Sequence, residues 1–200
     1  MMALAYAHAF MLEGMVDDLE IFIPFSFVSL GMLIKYGDQA FDEDCFSKRS
    51  AFMLAAPSGI WMGSMIALDY DSATIFIGLL LALLLAAKYD NVAFKVGFAA
   101  ALIITAISIV FEVGGFDPLG VVLVGAAAYV DERTNDLEAS GRIGILLQQR
   151  PFLKAAVLIM CLFGIFSSFM YFFAFMGFDF GYSLVESICM ERKEGLPEAI

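Results

Sequence analysis

The residues best equipped for chemistry in this chain are carboxylates and amides gathered at the ends of three apolar stretches. The first group runs from Lys35-Tyr36-Gly37-Asp38 to Asp42, the second is Lys88-Tyr89-Asp90-Asn91, and the third is Tyr129-Val130-Asp131-Glu132-Arg133-Thr134-Asn135-Asp136. In each, a tyrosine precedes an aspartate where a hydrophobic run ends. Asp38, Asp42, Asp90, Asn91, Asp131, Asn135 and Asp136 form an all-oxygen donor set. Such a set suits a hard divalent cation, Mg²⁺ first, with Mn²⁺ or Ca²⁺ as substitutes, and disfavours Zn²⁺ or Cu²⁺. Lys35, Lys88, Lys95 and Arg133 lie close by in sequence and would supply positive charge to phosphate oxygens.

Crowding of these acids has an electrostatic cost. Asp38 and Asp42, Asp131 and Asn135, and Glu132 and Asp136 are each four residues apart, which puts each pair on one face of a helix. Two carboxylates ~6 Å apart repel by roughly 3 kcal/mol at an effective dielectric near 20. If the odd-numbered helices end here, their C-termini add partial negative charge. A positive guest would relieve this. So would local ion pairs with Lys35, Lys88, Lys95, Arg133 or the Lys48-Arg49 pair, each contributing little. Asp90 and Asn91 have a plainer use as N-caps of the following helix.

The elements that must carry these groups are apolar helices. The chain has 200 residues, 62% of them hydrophobic and 16% charged, more apolar surface than a water-soluble domain can bury. Residues 75–87, 96–111 and 155–178 hold no charged side chain, and about 20 such residues cross a bilayer. No alternating pattern suggests a barrel. The reading is all-α: a polytopic bundle of about six transmembrane helices near 21–36, 51–68, 73–88, 92–111, 119–130 and 152–178, arranged as three hairpins in a pseudo-repeat. Residues 1–20 are expected on the membrane surface, 21–178 as the membrane domain and 179–200 as an acidic tail. Gly59 and Gly63 form a GxxxG expected to pack tightly against a neighbouring helix.

Orientation follows from the basic residues, which stay on the cytoplasmic side during insertion. Lys35, Lys48, Arg49, Lys88, Lys95, Arg133, Arg142, Arg150 and Lys154 fall in or beside connections 1–2, 3–4 and 5–6. Six spans then put both termini outside, although Arg192 and Lys193 oppose this. The same topology sets Asp69, Asp71, Glu112, Asp117 and Asp179 at the outer face, with Tyr70 and Tyr182 in an outer aromatic belt.

Other chemistry finds no footing. There is no GxSxG, GxGxxG, P-loop or HExxH pattern. The single histidine, His8, is remote from the acids. Cys45, Cys161 and Cys189 show no metal or disulfide spacing and read as unlinked thiols. A net charge of −11 argues against nucleic acid as a partner. The expected function is a divalent-metal-dependent enzyme acting on a lipid or prenyl phosphate. The alternatives are a cation or small-solute channel or transporter, its pore lined by Ser26, Ser29, Ser64, Thr105 and Ser108, and a non-catalytic lipid-binding or scaffold subunit.

Overall fold

A computed structural model describes the backbone of residues 2–87, 91–135 and 150–194 and the side chains of 21–87, 91–134 and 150–193. The described residues form helices and no strand. In order these are α1 (Met2–Asp42), α2 (Lys48–Leu68), α3 (Tyr70–Leu85), α4 (Val92–Val110), α5 (Pro118–Asn135), α6 (Pro151–Leu162) and α7 (Met170–Glu194). Four segments are long and apolar enough to cross a membrane: Ile21–Asp42, Lys48–Leu68, Val92–Val110 and Met170–Lys193. Well under half of each is buried within the bundle. Large side chains such as Ile21, Leu68, Phe111 and Phe163 face outward, as a lipid solvent permits and water does not.

Short polar side chains start nearly every helix. Ser47 accepts the amide of Ser50, Asn91 that of Phe94 at 2.7 Å and Asp117 that of Gly120 at 2.9 Å, while Pro118 takes the first helical position of α5. Asp69 serves two helices. Its own amide closes α2 on the Met65 carbonyl, and its carboxylate receives the Ser72 amide at 2.8 Å to open α3. A one-residue connection suffices there because each freed backbone group finds a partner.

Three pairs of helices make the most extensive contacts: α1 with α7, α2 with α4 and α3 with α5. Contacts advance in register along each pair, Gly31 with Phe178 and Lys35 with Glu186, Gly59 with Gly97 and Gly63 with Ile104, so the helices of each pair run parallel. Aligned dipoles oppose such pairing, so close packing must offset them. A Cβ on Gly59 would collide with the Gly97 carbonyl, and one on Gly63 would come within 2.6 Å of Ile104 Cβ. The GxxxG is thus a packing surface against α4, as its spacing suggests. In the interior Phe27 lies 4.5 Å from Phe76, and Phe178 meets both Phe76 and Phe175, tying α1, α3 and α7 together.

The expected sixth span, 152–178, is two helices. α6 ends at Leu162, Gly164 adopts φ +68°, and Ser168 Oγ accepts the Met170 amide at 3.1 Å to start α7. The chain reverses at this point, which is stabilised by Ser167 donating from both its amide (2.8 Å) and its hydroxyl (2.6 Å) to Asp71. α7 absorbs residues 179–194 of the expected tail, and α1 runs without a break through the boundary expected at residue 20. The extra reversal carries Arg192 and Lys193 to the end of the bundle where Lys35, Lys48, Arg133 and Arg150 also lie. This is the basic end of the bundle.

Candidate functional site at the basic end of the bundle

The C-terminal halves of α1, α3, α5 and α7 converge with the N-terminus of α6 around a cavity of about 380 Å³. Its lining has three kinds of surface: the carboxylates of Asp38, Asp42, Glu43, Glu132 and Glu186, the cations Lys35 and Arg150, and an apolar wall that includes Met62, Leu79, Leu80, Leu83 and Phe94.

The cations are anchored through one ring. Lys35 Nζ stands 4.5 Å from the centroid of Tyr182 and 3.1 Å from Glu186, while Arg150 lies 4.6 Å from the same centroid and 3.3 Å from Glu132. The Tyr182 hydroxyl donates to Asp38 at 3.4 Å. Arg150 is well covered, and burial disfavours its charge. The Tyr182 phenol and the carboxylates of Glu132, Asp179 and Asp38 more than compensate, holding the guanidinium above its ordinary pKa. Its backbone sits in the left-handed region at φ 51°, immediately before Pro151. That conformation costs on the order of 1 kcal/mol in a non-glycine residue, and the α residue before proline is itself disfavoured. One step deeper, Lys154 and Asp179 pair at 2.6 Å between α6 and α7.

The residues expected to bind metal divide. Asp38 and Asp42 line the cavity. Asp131, 2% exposed, turns instead to the start of α6, where it accepts the amides of Phe152 at 3.1 Å and Leu153 at 2.7 Å. Asn91 caps α4. Asn135 closes α5 but its side chain lies outside the described residues, as do Asp90 and Asp136. Among the described residues no three acids, cysteines or histidines converge to hold an ion by themselves.

Of the residues expected to bind phosphate, Lys35 lines the cavity. Arg133 folds back on Tyr129, donating to its hydroxyl at 3.1 Å, and Lys95 lies exposed in the first turn of α4 outside the lining. Lys88 falls outside the described residues. Sequence reasoning passed over Arg150, Glu132 as a cavity residue, Glu186 and Tyr182. A single reassignment explains two of these omissions, since a 152–178 span sends Tyr182 and Glu186 to the opposite face. Asp179 was displaced by the same error.

One further expectation changes. Cys45 and Cys189 are joined in a disulfide with Cα atoms 5.5 Å apart, and Cys161 is the free, buried thiol. A separation of 144 residues leaves no local spacing to read, and the contact exists only because α7 returns beside α1. At the other end of the bundle, Asp69, Asp71 and Asp117 take part in helix starts and in holding Ser167 and Tyr171, the latter at 2.8 Å. Of the hydroxyls suggested for a pore, Thr105 bonds with Ala101, Ser64 with Ile60, Ser108 with Val113 and Ser26 with Trp61.

No family model matches this chain, and neither a curated protein nor a solved structure does. Its function must therefore be argued from the cavity.

Proposed function

We propose that this is a multi-pass membrane enzyme that binds a divalent cation together with the phosphate head of a lipid or prenyl chain in the basic-end cavity, and acts on that head. The observation that carries the reading is the three-part lining. A bare metal ion would make no use of the apolar wall or of Lys35 and Arg150, which keep their Glu186 and Glu132 partners. A phosphate without metal would meet five carboxylates against two cations. A metal–phosphate pair on a hydrocarbon chain complements all three surfaces. On this reading Asp38 and Asp42, one turn apart on α1, would hold the ion, with Asp90 and Asp136 as further ligands by sequence position. Lys35 and Arg150 would bind the phosphate oxygens. The chemistry a bound divalent ion would supply is stabilisation of charge that develops on the phosphate.

The concentration of Lys and Arg at this end favours a cytoplasmic location. α1 and α7 both run toward this end, so the start of α1 is then outside and the end of α7 inside.

The test is thermal stability of the purified protein titrated with Mg²⁺, with dodecyl phosphate, and with both. A ligand at 100 times its Kd adds about 2.7 kcal/mol. The pair is expected to shift Tm by more than the sum of its parts, and Asp38→Asn or Arg150→Gln to abolish that excess. Strict additivity in the native protein would sink the reading. The excess of acids over bases in the lining favours a second reading, a cation pathway. It would appear as a Mg²⁺ shift indifferent to dodecyl phosphate, accompanied by ion flux in liposomes.

A further inference from the structure

Beside the cavity is a narrower cleft of about 60 Å³ framed by α1, α2, α3 and α4. Ile34, Asp38, Met62, Leu80, Leu83 and Phe94 line both spaces, so the two adjoin. Beyond that shared wall the cleft is built mostly of small residues, Ala51, Ala55, Ser58 and Gly59 on α2 and Gly97 on α4, with Leu33 and Phe98 as its larger side chains. Asp38 is the one charged residue of its lining and stands at the junction. Ser58, the other polar side chain there, donates its hydroxyl to the Ala55 carbonyl at 2.9 Å and so presents no open donor. α1 and α4 make few contacts with each other.

We propose that this cleft receives the first carbons of the hydrocarbon chain of an amphiphile whose head occupies the cavity. The inference rests on the reading given under Proposed function and adds where the chain leaves the head. A volume of about 60 Å³ holds a few waters, each needing ~10–15 Å³ of such space. It suits a short run of chain carbons. The remainder of the chain passes between α1 and α4 into the bilayer.

The experiment compares methyl, octyl and geranyl phosphates, each with Mg²⁺, on the full chain in nanodiscs. Burial of each methylene is worth about four-fold in affinity, so octyl or geranyl phosphate is expected to bind on the order of ten-fold tighter than methyl phosphate. The tighter of the two identifies an acyl-type or a prenyl-type chain. Ser58→Leu, which fills the cleft, should erase most of that gain while leaving methyl phosphate binding as it was. Phe98→Ala, which widens it, provides a second variant should the first fold poorly, and should change octyl but not methyl phosphate affinity. A diazirine on the third carbon of octyl phosphate should label α2 or α4. If methyl phosphate binds but the chain-length gain is the same in wild type and both variants, the cleft is not the chain's path. If methyl phosphate with Mg²⁺ fails to bind the wild type, the cavity reading falls with it.

Discussion

Asp131 reaches across 22 residues of sequence to accept the backbone amide of Leu153 at 2.7 Å. The carboxylate closes the N-terminus of α6 from the last turn of α5, a position where its own helix disfavours negative charge and the facing helix welcomes it. Asp131→Ala should cost about 1–2 kcal/mol, in the usual range for a lost cap, and Asp131→Asn less. Neither should weaken Mg²⁺-dependent ligand binding. Denaturation midpoints and the ligand titration together check this, and a variant that loses the ligand at unchanged stability would return Asp131 to the ion.

Arg150 and Glu132 form a covered pair, with 16% and 14% of their side chains exposed. Removing one partner leaves the other charged and poorly solvated, typically 3–5 kcal/mol. Arg150→Met is expected to destabilise by about that much, and the double variant Arg150→Met/Glu132→Gln to recover a substantial part. A double-mutant cycle measures the recovery. No coupling would mean that water screens the pair.

Glycine contacts make opposite forecasts at two positions. Nothing lies within 4 Å of a Cβ built on Gly37, whereas one on Gly59 meets the α4 backbone. Gly37→Ala should be neutral or stabilising by up to about 1 kcal/mol, and Gly59→Ala destabilising by about 1–3 kcal/mol. Thermal melts in one detergent are sufficient to compare them.

Cys45–Cys189 encloses a long segment. Helices that persist in the unfolded membrane state already restrict the chain, so its loss should cost about 2 kcal/mol, toward the lower part of the usual range. Cys45→Ser and chemical reduction should agree. Thiol labelling in intact cells adds a topological reading, because cytosolic thiols are kept reduced: modification of Cys45 and Cys189 in rapidly quenched cells would put the basic end in the cytosol, and protection by the disulfide would put it on the oxidising side and overturn the cytoplasmic assignment.

Glu43 is bound by the Lys193 ammonium, which holds its pKa below the ordinary 4.5. A lowered carboxylate pKa contributes stability that is present above the unfolded value and lost as pH falls through the folded one. Hydrogen exchange in the final turns of α7 should therefore speed up, relative to the intrinsic rate, only below about pH 4.5. Because the pair is exposed, added salt should diminish the effect.

The four helices α2 to α5 were legible because each apolar run opens on a local signal: Ser47, Asp69, Asn91 or Asp117. The sixth was misread because hydropathy stays high from residue 155 to 178. Gly164 and the Ser167-Ser168 pair were visible but weigh little against so apolar a background, and their effect depends on Asp71 being nearby to receive Ser167. Asp38 and Asp42 end the first apolar run, and that position alone brings them to the cavity. Asp131 and Asn91 bear the same residue types at the same depth, yet a cap and a ligand differ only in which backbone amides come near. Arg150 could not be ranked above Arg133 without knowing which faced Tyr182.

Parallel pairing of α1 with α7 imposes an order on biogenesis. Glu43 and Lys193 are 150 residues apart, so α1 enters the bilayer long before its most extensive neighbour is synthesised. Until then the surface around Gly31 faces lipid or a chaperone, and the pocket lacks Tyr182 and Glu186. A ribosome that stalls before Met170 would release a chain with most of its helices inserted and no assembled pocket, so acquisition of ligand binding should coincide with completion of the last hairpin.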